Sequence, residues 1–374
     1  MKNKLFYLII LLCCYSISYA QDDLSGIKQA LNYYLDGTSY NQVETIKKAF
    51  YPGAELFLDG KDKELMVVPI EEYAGWFEKK KAGEFNGRIG QILSIERFGN
   101  IAMAKVELLI PKAQLQFIDM FILKQIKGEW KIISKTANGK PSEKHGDKVL
   151  FVVSNAAFYG DTDLKTGNSF SEIVEAYDTY VRAGFRVDLM SQEGGAVPIA
   201  YLNTSSPIQK QYIYDSDFMY AMKHTLTPSE VDAKDYGAIY YVGGGSVLFG
   251  VPDNEHIQQI AMDIYESGGV VAAVCHGTAG IVNLKDKNGE YLVAGKTISG
   301  FPEAYEKKDL PYFKTFPFLI QETIEQHGGT FKVSPRMTPH VEVSDRVVTG
   351  QNHLSTILLT EKVIAILEAK EQHR

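Results

Sequence analysis

The chain has 374 residues, a formal net charge of −7, 45% hydrophobic residues and three cysteines. That length is too great for one ordinary domain and comfortable for two. An acidic balance without any basic run argues against nucleic acid as a partner, and equally against anionic membrane surfaces.

The first twenty residues read as a secretory signal and not as part of the fold. Lys2 and Lys4 form a charged start, Leu5 to Cys14 an apolar core, and Ser18-Tyr19-Ala20 a small-residue cleavage site before Gln21. The apolar run is too short to span a membrane, and Cys13 and Cys14 lack the small residue that a lipid-attachment site wants before its cysteine. Cleavage after Ala20 gives an exported, soluble chain, periplasmic or extracellular, with no membrane partner; the alternative is an uncleaved anchor. Loss of Lys2 and Lys4 takes 39 basic residues to 37 against 46 acidic ones, a net charge of −9. Of the cysteines only Cys275 then remains, so no intrachain disulfide can form although the compartment is oxidising.

Three helices open the mature chain. Leu24 to Leu35 places Ile27, Ala30, Leu31 and Tyr34 on one face, Gln42 to Phe50 ends at a Pro52-Gly53 break, and Ile70 to Lys81 is the third. Strands follow over Arg88 to Phe98, Ile101 to Ile110, Ile118 to Gln125 and Trp130 to Ser134, with hairpin turns at Gly99-Asn100 and Lys127-Gly128. Helices followed by long antiparallel strands describe an α+β domain, a curved sheet wrapped around helices into a cone. The order, with Ala49-Phe50-Tyr51-Pro52-Gly53-Ala54 and the run from Asp119 through Trp130 to Ile133, resembles the nuclear-transport-factor-two-like fold in its SnoaL or lumazine-binding branch. That resemblance covers residues 21–136. It implies a cone with an apolar pocket, or one that pairs into a homodimer. No acid/base dyad stands out there; Asp119 is a candidate catalytic carboxylate, although a strand-edge carboxylate is more often solvated.

Residues 137–147, polar and rich in turn formers, read as a linker. From 148 to 374 strands alternate with helices. Strands at Val149 to Val153, Arg186 to Met190, Ala238 to Val242, Val270 to Val274 and Val341 to Val348 interleave with helices at Ser171 to Ala183, His256 to Glu266, Thr315 to Gln326 and Leu354 to Ala369. This is the pattern of a three-layer α/β sandwich with a mostly parallel, flavodoxin-like sheet. Ligands of such sheets bind at the carboxyl ends of the strands, which here carry Gly243-Gly244-Gly245 and Cys275. The segment Thr204 to Lys234, rich in Tyr and Met, is a candidate lid, although an aromatic stretch more often packs.

Cys275 follows a run of small apolar residues and precedes His276-Gly277 and a helix starting at Thr278. A lone cysteine is most often a small buried hydrophobe. At a strand-to-helix elbow, however, the side chain is pushed clear of the backbone, and a helix N-terminus behind it favours a thiolate. Cys275 is therefore a candidate nucleophile.

Lys165-Thr166-Gly167 with Glu172, Ala183-Gly184-Phe185-Arg186-Val187-Asp188, Val231-Asp232 to Asp235-Tyr236, Pro252-Asp253-Asn254, Ala272-Ala273-Val274-Cys275-His276-Gly277, Ser299-Gly300-Phe301-Pro302-Glu303 and Thr349-Gly350-Gln351-Asn352 follow one another in that order. With these motifs the chain from Lys148 resembles the DJ-1/PfpI superfamily, of class I glutamine amidotransferase-like fold, in its glyoxalase III-like branch. The resemblance implies Cys275 as nucleophile, His276 as general base or acid, Glu303 as the carboxylate orienting it, and Glu172 pointing at the thiol. Glu306 and Asp309 are near neighbours of Glu303 on the same polar stretch. The resemblance also implies amides near Gly244 and Gly245, with that of His276, as an oxyanion site. Departures from the family pattern fall at Ser246, Gly250, Thr278 and His353.

A cofactor-free cysteine enzyme acting on a small reactive carbonyl compound, methylglyoxal to lactate, is the leading expectation. No nicotinamide fingerprint, phosphate loop or metal-ligand spacing is present in the sequence. The alternatives are an amidase or peptidase, for which His340-Val341-Glu342 has the required spacing, and a non-catalytic redox-sensing or ligand-binding protein.

Overall fold

The computed structural model describes residues 24–60 and 64–371, and the expected leader with Cys13 and Cys14 lies outside them. The chain divides between His145 and Gly146.

In the first unit, helices α1 (residues 24–39), α2 (Val43–Ala49) and α3 (Ile70–Gly75) accompany six strands. These are β1 (Phe50–Asp59), β2 (Leu65–Pro69), β3 (Ile89–Phe98), β4 (Ile101–Ile110), β5 (Leu115–Ile126) and β6 (Glu129–Pro141), in the order β2-β1-β6-β5-β4-β3. The period of two is plain on β4, where Ala102, Ala104, Val106 and Leu108 are buried. Ile27, Leu31, Tyr34, Ile46 and Tyr73 cover that face from the helices.

The structure corrects the sequence reading in five places here. The third helix ends at Gly75 and not at Lys81. Pro52-Gly53 is not a break after the second helix, which ends at Ala49 directly before β1. It lies inside β1, which runs parallel to β6 through a register shift between Phe50 and Glu55. A bulge accommodates a proline that has no amide to donate and a glycine at φ 82°. Strand β2 was not expected at all. Strand β6 continues to Pro141 and pairs with β5, so residues 137–141 of the expected linker belong to the sheet. Asp119 is not solvated: it is 1% exposed and ion-paired with Lys135 at 3.1 Å.

The second unit is built on a six-stranded sheet. Its strands are β7 (Lys148–Val152), β9 (Arg186–Met190), β11 (Tyr236–Tyr241), β12 (Val270–Val274), β15 (Val341–Ser344) and β16 (Val347–Gly350), in the order β15-β16-β12-β11-β7-β9. Only the β15–β16 pair is antiparallel. Short strands β8 (Asn168–Ser169), β10 (Ile199–Ala200), β13 (Thr297–Ile298) and β14 (Thr330–Phe331) form two separate two-stranded pairs. Buried residues form a core on each face of the main sheet, which is why β7, β11 and β12 read as continuous apolar runs. Helices α4 (Phe170–Arg182) and α9 (Thr356–Glu371) cover one face, and α7 (Glu255–Glu266) the other.

The stretch expected as one strand over 341–348 is instead a hairpin turning at Asp345, a non-glycine residue at φ 55°. Helix α8 (Ile320–Gln326) starts later than expected, because Pro311–Thr315 forms a separate 3₁₀ turn. The candidate lid folds into α5 (Pro207–Ile213) and α6 (Ser216–Lys223), whose Tyr212, Phe218 and Met222 are buried in the core beside α4. That segment is packing.

Candidate active site

Strand β12 delivers Cys275 at the carboxyl end of the sheet, between β11 and β16. Cys275 adopts φ 56°, a left-handed conformation that is costly for any residue with a Cβ. A strained backbone at that point turns the chain sharply and presents the side chain outward. Close packing holds the turn, because a Cβ on Gly277 would run into the Tyr241 carbonyl and one on Gly280 into the Tyr241 ring. The following element is shorter than the helix expected from Thr278. Cys275–Ile281 is a seven-residue 3₁₀ helix, so a long helix dipole is not what acts on the sulfur. The closer influence is the His276 backbone amide, which stabilises the thiolate.

Around the sulfur the structure brings together His276 and Glu172. Cys275 Sγ lies 3.6 Å from His276 Nδ1, and His276 Nε2 lies 2.6 Å from Glu306 Oε1. The ring of His276 is stacked on Phe301 at 4.6 Å, which fixes its plane. The carboxylate on His276 is thus Glu306, and the expected placing of Glu303 there is corrected. Glu303 turns the other way, and its Oε1 accepts the Gln321 amide at 2.7 Å, satisfying a free donor in the first turn of α8. The two residues lie one 3₁₀ turn apart, so only the three-dimensional path of the loop separates their roles.

Burial would raise the Glu306 carboxyl, but the hydrogen bonds from His276 and Tyr312, with Arg336 nearby, outweigh it and hold Glu306 below the usual carboxylate range. Tyr312 donates to Glu306 Oε2 at 2.8 Å, so both carboxylate oxygens are engaged and the group cannot swing away from the imidazole.

Glu172 lies in the first turn of α4 and is 1% exposed. Burial pushes its carboxyl up to about 8, against the smaller opposing influence of Cys275, Ser169 and the Gly243 amide. Near neutral pH it is therefore mostly a neutral acid and can donate a hydrogen bond. Burial also pushes the Cys275 thiol up, and a charge on Glu172 pushes it further. Thiol and carboxyl share one low-dielectric pocket, so they cannot both ionise cheaply and they titrate as a pair. A protonated Glu172 removes the repulsion and leaves the negative charge to the sulfur.

Opposite the sulfur, Gly243 cannot carry a side chain, because its Cβ would meet Glu172 and lie 2.9 Å from Cys275 Cβ. Gly244 has φ 108°, and Gly245 lies under Tyr159, whose hydroxyl is 2.5 Å from where a Cβ would stand. Among the described residues neither the Gly244 nor the Gly245 amide has a protein acceptor. Free donors beside a thiol suit an oxygen that gains negative charge.

Aromatic residues that the sequence reading did not single out wall this space. Tyr159 packs on Tyr312 at 5.3 Å and on Phe316 at 6.3 Å. Tyr201, at φ 57°, is 65% exposed as a residue. Its hydroxyl nonetheless reaches Tyr159 and the field of Cys275 and Glu172, and burial of that end pushes the phenol well up. No motif flags these tyrosines; they come from three separate loops. His340, the residue on which the amidase reading rests, faces a different group. Its Nδ1 lies 2.7 Å from Ser334 Oγ and its Nε2 2.9 Å from Glu342, while the imidazole at Cys275 is His276.

Elbow cysteine, histidine, carboxylate and buried acid on a mostly parallel sheet define a class of cysteine-centred α/β enzymes. The chain belongs to the DJ-1/PfpI family, whose description it matches over residues 164–365, and it matches the family described as "Putative lumazine-binding" over residues 22–137. The first domain is accordingly of nuclear-transport-factor-two-like fold. Glyoxalase 3 of Candida albicans is 33% identical over 239 residues, covering 59% of this chain and 98% of that one. The glutathione-independent glyoxalase HSP31 of Saccharomyces cerevisiae is 37% identical over 222 residues, covering 56% and 92%. Among solved structures, that of Candida albicans glyoxalase III aligns with a TM-score of 0.53 at 29% identity, over 60% of this chain and 98% of that chain. The Rapid Encystment Protein of Francisella tularensis aligns with a TM-score of 0.56 at 26% identity, over 59% and 99%. The likeness to all four covers about three fifths of the chain. The chain is an enzyme of the DJ-1/PfpI family, with glyoxalase relatives.

Proposed function

We propose that the second domain converts methylglyoxal to lactate without glutathione, with Cys275 as the covalent nucleophile. The observation that carries this is the unbroken line from Cys275 Sγ through His276 to Glu306, beside an acid held neutral. In the first step Sγ forms a bond to the aldehyde carbon and the aldehyde oxygen takes up a proton, giving a hemithioacetal. His276 then removes the hydrogen on that carbon as a proton, and the electron pair forms an enediol with the neighbouring carbonyl carbon. Return of a proton to the second carbon gives a thioester of lactate. Water adds to the thioester, the C–S bond breaks, and lactate leaves with Cys275 restored. The reaction is an internal redox exchange between two carbons plus one water, so no external oxidant or reductant enters.

Each group has a role at a stated atom. Glu306 keeps Nδ1 of His276 facing sulfur by holding Nε2. Glu172 supplies the neutral acid that favours thiolate and can return a proton. The amides of Gly244 and Gly245 meet the oxygen that becomes negative. The test is lactate formation from methylglyoxal by the purified protein in the absence of glutathione. Wild type should turn over, and Cys275→Ser should fall by at least about a thousandfold. Turnover in Cys275→Ser equal to wild type would remove the covalent mechanism.

The same proposal places the enzyme outside the cytoplasm, supported by the charged start, apolar run and Ser18-Tyr19-Ala20 of the leader. Sequencing the amino terminus of the protein recovered from its host should begin at Gln21. A terminus at Met1 would reject it.

A further inference from the structure

The cone of the first domain holds a buried group of ionised and phenolic side chains that the glyoxalase reading does not use. Lys135 (4% exposed) pairs with Asp119 (1% exposed) at 3.1 Å. Tyr34, fully buried, donates to the same Asp119 oxygen at 2.5 Å and lies 3.2 Å from the Tyr73 hydroxyl. Arg88 enters from the start of β3 with its guanidinium over the Phe77 ring, 5.6 Å from the centroid. Burial works against the Arg88 charge, and the neighbouring Tyr73, Tyr34 and Asp119 more than offset it.

Two features of this group are unresolved within the protein. One is charge: two cations lie near one carboxylate, and among the described residues Lys135 has only Asp119 in ion-pair range while Arg88 has no carboxylate within it. The other is hydrogen bonding: Arg88 Nε and Asp119 Oδ1 are both buried without a partner. A buried cation excess with an unpaired guanidinium N–H is costly unless an anion completes it. The engaged Asp119 oxygen, Oδ2, is already shared by Lys135 and Tyr34, and the other, Oδ1, makes no hydrogen bond to Arg88.

We propose that the cone binds a small planar carboxylate, held by the Arg88 guanidinium with a tyrosine hydroxyl beside it. A carboxylate matches the fork geometry of arginine with two parallel N–H···O bonds, and it cancels the excess charge. The planar body is set by the surroundings: the Phe77 ring faces the Arg88 guanidinium, and Phe77 and Trp76 lie 5.6 and 5.2 Å from Tyr73. Lys135 and Asp119 are the fixed floor of the site and need not touch the ligand. Trp76, 47% exposed and 5.2 Å from Tyr73, serves as the fluorescent reporter.

The test uses benzoate as probe and benzamide as its uncharged counterpart, on the full chain at matched ionic strength. Tryptophan fluorescence and the thermal unfolding midpoint are both followed. Wild type should bind benzoate saturably and benzamide at least about tenfold more weakly. Arg88→Gln should lose about tenfold or more in benzoate affinity, while its unfolding midpoint without ligand is no lower than that of wild type, since an uncompensated charge has gone. Arg88→Lys, which keeps the charge and loses the fork, should bind more weakly by several-fold. Equal affinity for benzoate and benzamide, or benzoate binding undiminished in either variant, overturns the proposal. So does the absence of any saturable response in wild type. If both variants fail to fold, the wild-type comparison of benzoate with benzamide decides alone.

Discussion

Two buried carboxyls, Glu172 and Asp119, are each 1% exposed and resolved in opposite ways. Glu172 in the α/β domain has a thiol and an amide for neighbours but no cation. Burial therefore pushes it up to about 8, and it stays protonated. Asp119 in the cone has Lys135 at 3.1 Å and a tyrosine hydroxyl at 2.5 Å, so its charge is paired and hydrogen-bonded. The difference is instructive about chemistry. A neutral buried acid can give and take a proton within the pH range where the protein works, whereas a fixed ion pair cannot do so without breaking. The first arrangement suits proton transfer beside sulfur, and the second a fixed electrostatic framework.

Removing the cation from the second arrangement should have the largest effect. Lys135→Met leaves the buried Asp119 without its ion-pair partner, at a cost of about 3–5 kcal/mol to the cone. The unfolding transition assigned to the first domain should drop sharply or vanish, while that of the second domain stays in place. An unchanged first transition would mean that the pair is not what holds the cone's interior.

Glu172→Gln should move the other domain in the opposite direction. A carboxyl raised from 4.5 to about 8 binds a proton in the folded state that the unfolded state has released between those values. Its stabilising contribution is therefore full below about pH 4.5 and lost as pH rises towards 8. The amide keeps the shape without the ionisation. The variant should gain roughly 2–4 kcal/mol over wild type at pH 8, and little at pH 4.5. Denaturant unfolding at the two pH values checks this. The same variant removes the acid beside Cys275, so the pH dependence of alkylation by iodoacetamide should shift as well. An unaltered alkylation profile would separate the two groups and end the description of them as a pair.

Much of this contrast lay within reach of the sequence, and the part that did not has definite causes. Valine-rich runs such as Val270–Val274 name buried parallel strands because both faces are covered, and the turn after one of them marked Cys275. Glu172 was found only through a motif, since a Glu on the first turn of a helix is ordinarily solvated. Asp119 was misplaced because alternation tells which face a strand residue takes, not whether a lysine on the next strand meets it there. Strand β1 was hidden by Pro52-Gly53, a pair that signals a break unless a bulge absorbs it. Glu306 and Glu303 could not be told apart by spacing. Their roles depend on where the loop places each one, against His276 in one case and against α8 in the other.

Glu306→Gln sharpens the comparison from the catalytic side. The glutamine can still accept from His276 but carries no charge to favour an imidazolium. Turnover of methylglyoxal should fall about 10–100-fold with little change in KM, the signature of lost orientation and charge rather than lost binding. Glu303→Gln should leave kcat within about twofold, since Glu303 faces α8 and not the imidazole. Equal losses in the two variants would return the orienting role to an open choice between them.

Tyr201 offers the smallest and most specific test. Its φ of 57° is costly for a residue with a Cβ and natural for glycine, so Tyr201→Gly should stabilise the backbone there by up to about 1 kcal/mol. It also removes the hydroxyl that reaches Tyr159 above Cys275 and Glu172. If the tyrosine is only loop packing, the variant should be as active as wild type or slightly more stable with no other change. If it helps to close the pocket that keeps Glu172 protonated, the gain in stability should be accompanied by a higher KM for methylglyoxal and by a Glu172 that ionises at lower pH. The second outcome is the expected one, because a buried acid without a cation keeps its proton only while water is kept away. The pH at which iodoacetamide reactivity rises in Tyr201→Gly, measured beside wild type, reads that exclusion directly.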